Sequence, residues 1–114
     1  MVLHVFLFKW KKDVTQAQKM RAAEEINAFQ GKIPGLLETS YRENTSPHSQ
    51  GFAHGGVMKF SNPQALQDYF PHPIHQELLE WLMPLLETAA ELDYEIEPLQ
   101  ENPTPEETAS SLTA

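Results

Sequence analysis

The order of patterns along the 114 residues predicts an α+β domain with the element order β-α-β-β-α-β. Three observations lead to this prediction: segments of period two, apolar stripes of helical spacing between them, and proline or glycine at the junctions. The order is that of the ferredoxin-like split βαβ arrangement, a four-stranded antiparallel sheet. Two helices cover one face of such a sheet and leave the other face bare.

The first predicted strand is Val2–Trp10, whose side chains alternate between two faces. One face carries His4, Phe6, Phe8 and Trp10, and the other carries Leu3, Val5, Leu7 and Lys9. Both faces are largely apolar, so we expect this strand to be covered on both sides. Because helices cover only one side, a second subunit is the simplest cover for the other.

A helix is predicted to begin after Thr15, because Thr15 and Gln18 have the spacing of a capping box. Its apolar stripe has spacings of four, three and four residues and consists of Ala22, Ile26, Phe29 and Ile33. Pro34-Gly35 ends it. The second predicted strand is Leu36–Glu43, which places Leu37, Thr39 and Tyr41 on one face, and a turn-rich loop follows at Asn44–Gly51.

The second half of the chain begins with a third predicted strand, Phe52–Phe60, one face of which carries His54, Gly56, Met58 and Phe60. Asn62-Pro63 then starts a short helix, Gln64–Phe70. Pro71-His72-Pro73 breaks this helix, and Pro73 opens another that we expect to reach about Ala89 with a bend at Pro84. The last strand alternates Leu92, Tyr94 and Ile96 with acidic residues.

The composition changes at Pro98. Residues 98–114 hold three prolines, three glutamates and no aromatic residue. Such a segment buries too little apolar area to offset its ordering entropy. We therefore expect one domain at residues 1–97, followed by a disordered acidic tail at residues 98–114. The residues after about Gln100 are expected to be dispensable for stability.

Composition and charge exclude several classes of protein. The chain has 16 acidic and 8 basic residues, a net charge of −8, which argues against nucleic-acid binding. No apolar run approaches the roughly 20 residues of a membrane helix, and the lysines after Phe8 stand on the wrong side for a signal peptide. Without cysteine, disulfides and thiolate chemistry are excluded. We expect a cytoplasmic protein without membrane contact.

Charge is also divided along the chain. Residues 1–60 hold all 8 basic residues and 5 of the acidic ones, whereas residues 61–114 hold 11 acidic residues and no basic one. This division is typical of solvated helix and tail surface. Contact between the acidic half and the basic half of a second copy is the alternative.

A candidate pocket follows from the strand histidines. His4 and His54 lie on strands that are neighbours at the centre of a ferredoxin-like sheet, and we place them on its bare face. The same face carries Phe6, Phe8, Met58 and Phe60. An apolar surface with a few polar groups is typical of a small-molecule site. Gly56 either widens this pocket or lets the backbone approach a ligand.

The candidate catalytic residues are His75 and Tyr69. In His72-Pro73-Ile74-His75, Pro73 places His75 in the first turn of a helix, where the helix dipole disfavours the imidazolium. A neutral imidazole is the form that a general base requires. Tyr69 is close in sequence, and its phenol can donate a hydrogen bond to a carbonyl oxygen. His72 is expected at the same pocket.

Each of these features also has a structural interpretation. A strand histidine is often a hydrogen-bonded core residue, and the His72–His75 pair can cap a helix. Zinc binding by three histidines is weakly supported, because the spacing matches no metal motif and no carboxylate sits within the cluster. The chain has no glycine-rich phosphate loop and no dinucleotide fingerprint. We expect neither a metal nor a cofactor.

The sequence resembles the stress-responsive dimeric α/β-barrel (Dabb) family from about Val2 to Ile96. No single motif is specific, but several occur in order at fitting spacings. These are His4 with Phe8-Lys9, Ile33-Pro34-Gly35-Leu36, Gly51-Phe52-Ala53-His54, Phe60, Leu66 with Tyr69, His72-Pro73-Ile74-His75, Leu82-Met83-Pro84-Leu85 and Asp93-Tyr94.

The resemblance implies a homodimer in which two sheets pack into a barrel. It leaves the activity open, since many members have no assigned reaction. An enzymatic branch, similar to a plant polyketide cyclase, performs a cofactor-free aldol condensation with retention of the carboxylate. In that branch the catalytic histidine and tyrosine match His75 and Tyr69, and two pocket histidines match His4 and His54.

Two functions therefore remain in view. One is a dimeric small-molecule-binding or stress protein without an assigned reaction. The other is a cofactor-independent enzyme on a small apolar carbonyl compound: a cyclase, lyase or isomerase. A minor alternative is a monooxygenase similar to those of antibiotic biosynthesis.

Overall fold

A computed structural model describes residues 1–97, and the predicted tail at 98–114 lies outside the described residues. The strands are β1 (Val2–Trp10), β2 (Leu36–Glu43), β3 (His54–Phe60) and β4 (Leu86–Glu95), and the helices are α1 (Gln16–Asn27), α2 (Pro63–Tyr69) and α3 (Pro73–Leu82). The sheet order is β2-β3-β1-β4, with every neighbouring pair antiparallel. The predicted ferredoxin-like fold is confirmed, with three α-helices where the fold class specified two.

Helix α1 begins as predicted and ends earlier than its apolar stripe. The capping box is present: Thr15 Oγ1 accepts from the Gln18 amide, and the Gln18 side chain accepts from the Thr15 amide. The helix ends at Asn27, whose side chain bonds both the amide and the carbonyl of Tyr41 in β2. Phe29 and Ile33 lie beyond the end of the helix but are still buried, because the turns that follow α1 keep these side chains against the core.

The predicted helix from Pro73 to Ala89 is wrong at its end. It ends at Leu82, Met83–Leu85 forms a single 3₁₀ turn, and β4 begins at Leu86. Pro84 has no N–H for the carbonyl one turn earlier, so it terminates the helix instead of bending it. The residues beyond pair with β1 along its whole length, from Leu86 opposite Trp10 to Glu95 opposite Val2.

The aromatic face of β1 lies under the helices, which corrects its placement on the bare face. Its residues His4, Phe6, Phe8 and Trp10 are all buried, and they form the core with residues of the helices. Leu36 joins them while Leu37 is exposed, because the register shifts between Leu36 and Glu38.

The bare face of the sheet is apolar as well. In register across three strands it carries Leu3, Val5 and Leu7 of β1, Val57 of β3, and Leu92 and Tyr94 of β4. Val57, Leu92 and Tyr94 are 42%, 59% and 46% exposed. The bare face therefore carries an apolar patch, as expected. The aliphatic residues and Tyr94 form this patch, whereas Phe6, Phe8, Met58 and Phe60 lie on the other face.

The helices are short. The longest, α1, has 12 residues, and none within residues 1–97 combines the length and apolar composition needed to cross a bilayer.

Candidate functional site

A cavity of about 110 Å³ lies between α3 and the helix-covered face of the sheet. Four polar side chains line it: His4, Tyr69, His75 and Glu91. The apolar wall consists of Phe6, Phe8, Ile26, Met58, Leu78, Leu79, Leu82, Met83 and Ala89. An apolar cavity of roughly 150 Å³ holds a benzene molecule, so this space suits a ligand of a few non-hydrogen atoms.

His75 is held in a single orientation in the first turn of α3. Its Nδ1 lies 2.9 Å from the Phe70 carbonyl oxygen. Because a carbonyl only accepts, Nδ1 carries the proton, and the neutral ring then has its lone pair on Nε2. Burial, followed by the nearby His4 and His72, lowers the pKa of His75 against the opposing effects of Phe70 and Glu91. This shift favours the neutral imidazole that is expected from the sequence, and its leading cause is burial.

Tyr69 is the immediate neighbour of His75. The two ring centroids are 4.3 Å apart, and Tyr69 is only 3% exposed. Burial, with Glu91 as the smaller cause, raises the pKa of the phenol well above its ordinary value. The hydroxyl therefore stays protonated at neutral pH, as a hydrogen-bond donor must.

His4 forms a pair with a carboxylate that the sequence analysis did not expect. Asp93 lies directly opposite His4 in the β1–β4 register, and its Oδ1 is 2.5 Å from Nδ1 of His4. His4 is 4% exposed and packs edge-on against Tyr69. The statement that no carboxylate sits within the histidine cluster is therefore wrong. Asp93 fixes the tautomer of His4 and turns Nε2 away from the carboxylate.

Glu91 is the second carboxylate missed from the sequence. It lies opposite Phe6 in the register, on the same face as Asp93, and it lines the cavity. The only available signal was the period of two, which puts residues 91, 93 and 95 on one face of the last strand. Acidic alternation favours a solvent face, whereas here this face turns toward the helices at the edge of the sheet.

Three of the predicted pocket residues do not line this cavity. His54 shares a face with His4, as expected, but it lies opposite Phe8, at the far end of the strand pair. There its Nδ1 accepts from Trp10 Nε1 at 2.9 Å, and its ring stacks on Tyr41. His54 is thus a core histidine of the kind that the structural interpretation described.

Gly56 and His72 also have structural roles. A Cβ at Gly56 falls 2.5 Å from Phe6 Cζ and 2.7 Å from the Ser40 carbonyl oxygen, so the glycine makes room for the Phe6 ring. His72 is the N-cap of α3, where its Nδ1 accepts from the Ile74 amide at 3.1 Å. The other predicted pocket residues, His4, Phe6, Phe8 and Met58, do meet Tyr69 and His75 in the cavity. Within residues 1–97 no three histidine or acidic side chains are placed to share a metal ion.

The fold and the cavity define a ferredoxin-like α+β domain with a small, mostly apolar pocket that contains two histidines and a tyrosine. Residues 2–96 match the family model described as the stress responsive A/B barrel domain, Dabb, and the chain belongs to this family.

Known relatives share the fold at low sequence identity. The chain is 25% identical over 76 residues to olivetolic acid cyclase of Cannabis sativa, which is 65% of this chain and 75% of the cyclase. A dimeric, ferredoxin-like protein of unknown function from Bacteroides fragilis is 27% identical, with a TM-score of 0.70 over 83% of this chain and 95% of that one. Hydroxynitrile lyase from Passiflora edulis shares the fold at 20% identity, with a TM-score of 0.76 over 87% and 95% of the two chains.

Proposed function

We propose that the protein is a cofactor-independent acid–base enzyme that acts on a small carbonyl compound. The observation that carries this proposal is the pairing of His75 with Tyr69 inside the cavity, with ring centroids 4.3 Å apart. One residue offers a basic nitrogen and the other a protonated phenol. Together they match the two demands of enolate chemistry, removal of a proton from carbon and a hydrogen bond to oxygen.

The proposed step begins with a ketone or aldehyde whose carbonyl oxygen accepts from the Tyr69 hydroxyl. His75 Nε2 takes the proton from the adjacent carbon, and the electron pair of the broken C–H bond moves onto the carbonyl oxygen as an enolate. Return of the proton to carbon completes an exchange or isomerisation. Alternatively, the enolate carbon attacks a second carbonyl, and the alkoxide that forms takes the proton from His75 Nε2, which completes an aldol addition. The Phe70 carbonyl holds His75 in place throughout.

The comparisons support this class of reaction in general terms. One relative is named a cyclase and another a lyase of hydroxynitriles. The two names describe different reactions, so we extend neither substrate to this chain.

We also propose that the protein acts as a homodimer formed through the bare face of the sheet. In support, that face exposes Val57, Leu92 and Tyr94 in register. Large contiguous apolar patches are unusual on soluble monomers. The Bacteroides relative is described as dimeric.

The test is deuterium exchange at the carbon next to the carbonyl of butanone, followed by proton NMR in D₂O. We expect wild-type protein to accelerate exchange over buffer, and His75→Gln to lose roughly 10²–10⁴ of that acceleration. Tyr69→Phe is expected to lose roughly 10²–10³ of the same acceleration. His48→Gln makes the same change as His75→Gln at an exposed loop position and keeps the wild-type rate.

A binding protein without catalysis gives a different result. The cavity is small, and its wall consists mainly of apolar side chains such as Phe6, Phe8 and Met58. Such a wall also suits a protein that only binds its ligand. Wild-type protein that binds butanone and leaves its exchange rate at the buffer value contradicts the enzyme proposal.

A further inference from the structure

One side of the cavity wall is exposed to solvent, and a carboxylate lies there. Among the lining residues, Met83, Ala89 and Glu91 are exposed to solvent. Met83 follows the end of α3, and the other two lie on the edge strand β4. The mouth therefore lies between the end of α3 and the edge of the sheet, with Glu91 on its rim.

No positive side chain balances this carboxylate at the cavity. Within residues 1–97 the lining contains no lysine or arginine, and residues 61–97 contain none at all. The second carboxylate nearby, Asp93, is bound to His4. A ligand that enters the cavity therefore leaves water and passes a carboxylate that forms no ion pair with any residue from 1 to 97.

The charge of Glu91 also reaches the interior of the cavity. Its electrostatic effect raises the pKa of both Tyr69 and His75. A carboxylate that acts on both of these groups also acts on a ligand seated beside them. A second negative charge at that position is disfavoured, whereas an ammonium group or a neutral hydrogen-bond donor is favoured.

We propose that Glu91 makes this cavity selective for neutral or cationic carbonyl compounds and against carboxylates. The inference rests on the proposed function only for the carbonyl class of the ligand. It differs from what the family resemblance implies, a reaction in which a carboxylate is retained. Glu91 acts here as a specificity-determining residue and takes no part in the proton transfer.

Three ketones of similar size test this selectivity: butanone is neutral, aminoacetone is cationic and pyruvate is anionic. Dissociation constants are measured by NMR titration, with the ring signals of His75 as the readout. We expect wild-type protein to bind pyruvate about tenfold or more weakly than the other two. Glu91→Gln narrows this difference, and Glu91→Lys reverses the order of pyruvate and aminoacetone.

Glu95→Lys is the matched control, because Glu95 lies on the same strand and the same face as Glu91 but outside the cavity lining. It keeps the wild-type order of the three ketones. Equal affinities for pyruvate and aminoacetone in wild-type protein overturn the inference, and so does a reversal by Glu95→Lys as large as that by Glu91→Lys. The binding measurement does not depend on turnover. If the three ketones bind in the expected order of charge but the protein does not accelerate deuterium exchange, the proposed function is wrong and the selectivity of Glu91 still holds.

Discussion

At the scale of single residues, the site depends on how each histidine is held. Phe70 binds Nδ1 of His75, Asp93 binds Nδ1 of His4, and Trp10 donates to Nδ1 of His54. In the first two cases the partner occupies Nδ1, and for His75 this leaves the lone pair of the neutral ring on Nε2. In the third, Nδ1 itself is the acceptor, so the neutral ring carries its proton on Nε2.

Glu91→Gln is expected to lower the pKa of His75. The Glu91 carboxylate favours the imidazolium, against burial and the nearby His4 and His72, so its removal favours the neutral ring further. The measurement is the NMR titration of the His75 ring. Glu95→Gln serves as the control and leaves the titration unchanged, and an upward shift in Glu91→Gln contradicts the assignment.

His54 is expected to make the fold less stable in mild acid. Burial lowers its pKa below the ordinary 6.5, with Glu43 opposing and Lys19 adding to the effect. Between 6.5 and the lower folded-state value, the unfolded chain binds more protons than the folded one, so stability falls as pH falls through this window.

The measurement is the melting temperature from pH 7.5 to 5 in wild type and His54→Asn, which keeps an acceptor for Trp10. We expect a smaller loss of melting temperature in the variant and the wild-type loss in His48→Gln. An equal loss in wild type and His54→Asn contradicts the prediction.

Sequence reasoning succeeded for residues whose position follows from local rules. Pro73 places His75 in a first turn, and Tyr69 stands at the end of the helix before it. Local rules do not place Asp93 and Glu91. Asp93 pairs with His4, which is 89 residues away in the chain. The position of Glu91 depends on which face of the edge strand β4 lies on the side of the helices.

At the scale of elements, helix α3 carries His75 and owes its start to His72. The His72 side chain accepts from the Ile74 amide, and Pro73 occupies the first helical position. This cap fixes the turn that presents His75 to the cavity. His72 therefore supports the site from outside it.

His72→Ala is expected to lower the free energy of unfolding by about 0.5–2 kcal/mol, because the first turn of α3 loses its cap. His72→Asn keeps most of the stability, since asparagine is a good N-cap. Denaturant unfolding measures both variants, with His48→Ala as the exposed control. Equal stability of His72→Ala and His72→Asn contradicts the capping role.

The bounds of the elements show where local patterns suffice. β1 and β2 were predicted to the residue, because alternation and flanking turns define them. The residues from Leu86 to Ala89 were predicted as helix, since their composition suits one. Pairing with β1 places them in the sheet, and that pairing is not visible in a local window.

At the scale of the whole molecule, the sheet separates two apolar layers. One is filled by the helices and contains the cavity, while the other consists of the residues of the bare face. The sequence predicted that both faces of β1 need cover. The assignment of the aromatic side to the bare face was wrong, because the aliphatic and aromatic sides of the strand are similarly apolar.

Val57→Glu is expected to convert a dimer into a monomer. Val57 lies opposite Val5 at the centre of the bare face, so the proposed interface would bury an unpaired charge. Sedimentation of wild type should give particles of twice the 13.0 kDa chain mass. Met20→Glu, at an exposed position on α1, should remain dimeric, and wild-type particles of one chain mass at micromolar concentration defeat the proposal.

The pairing of the first strand with the last also determines how the domain responds to force. The N-terminal ammonium of Met1 donates to the Ile96 carbonyl at 3.3 Å, and the Ile96 amide donates to the Met1 carbonyl at 2.8 Å. From that point β1 and β4 run antiparallel. A force applied between residues 1 and 97 therefore breaks the hydrogen bonds between β1 and β4 one after another, starting from this end. Pulled between residue 1 and the loop after β2, the same sheet resists in shear, with many bonds sharing the load.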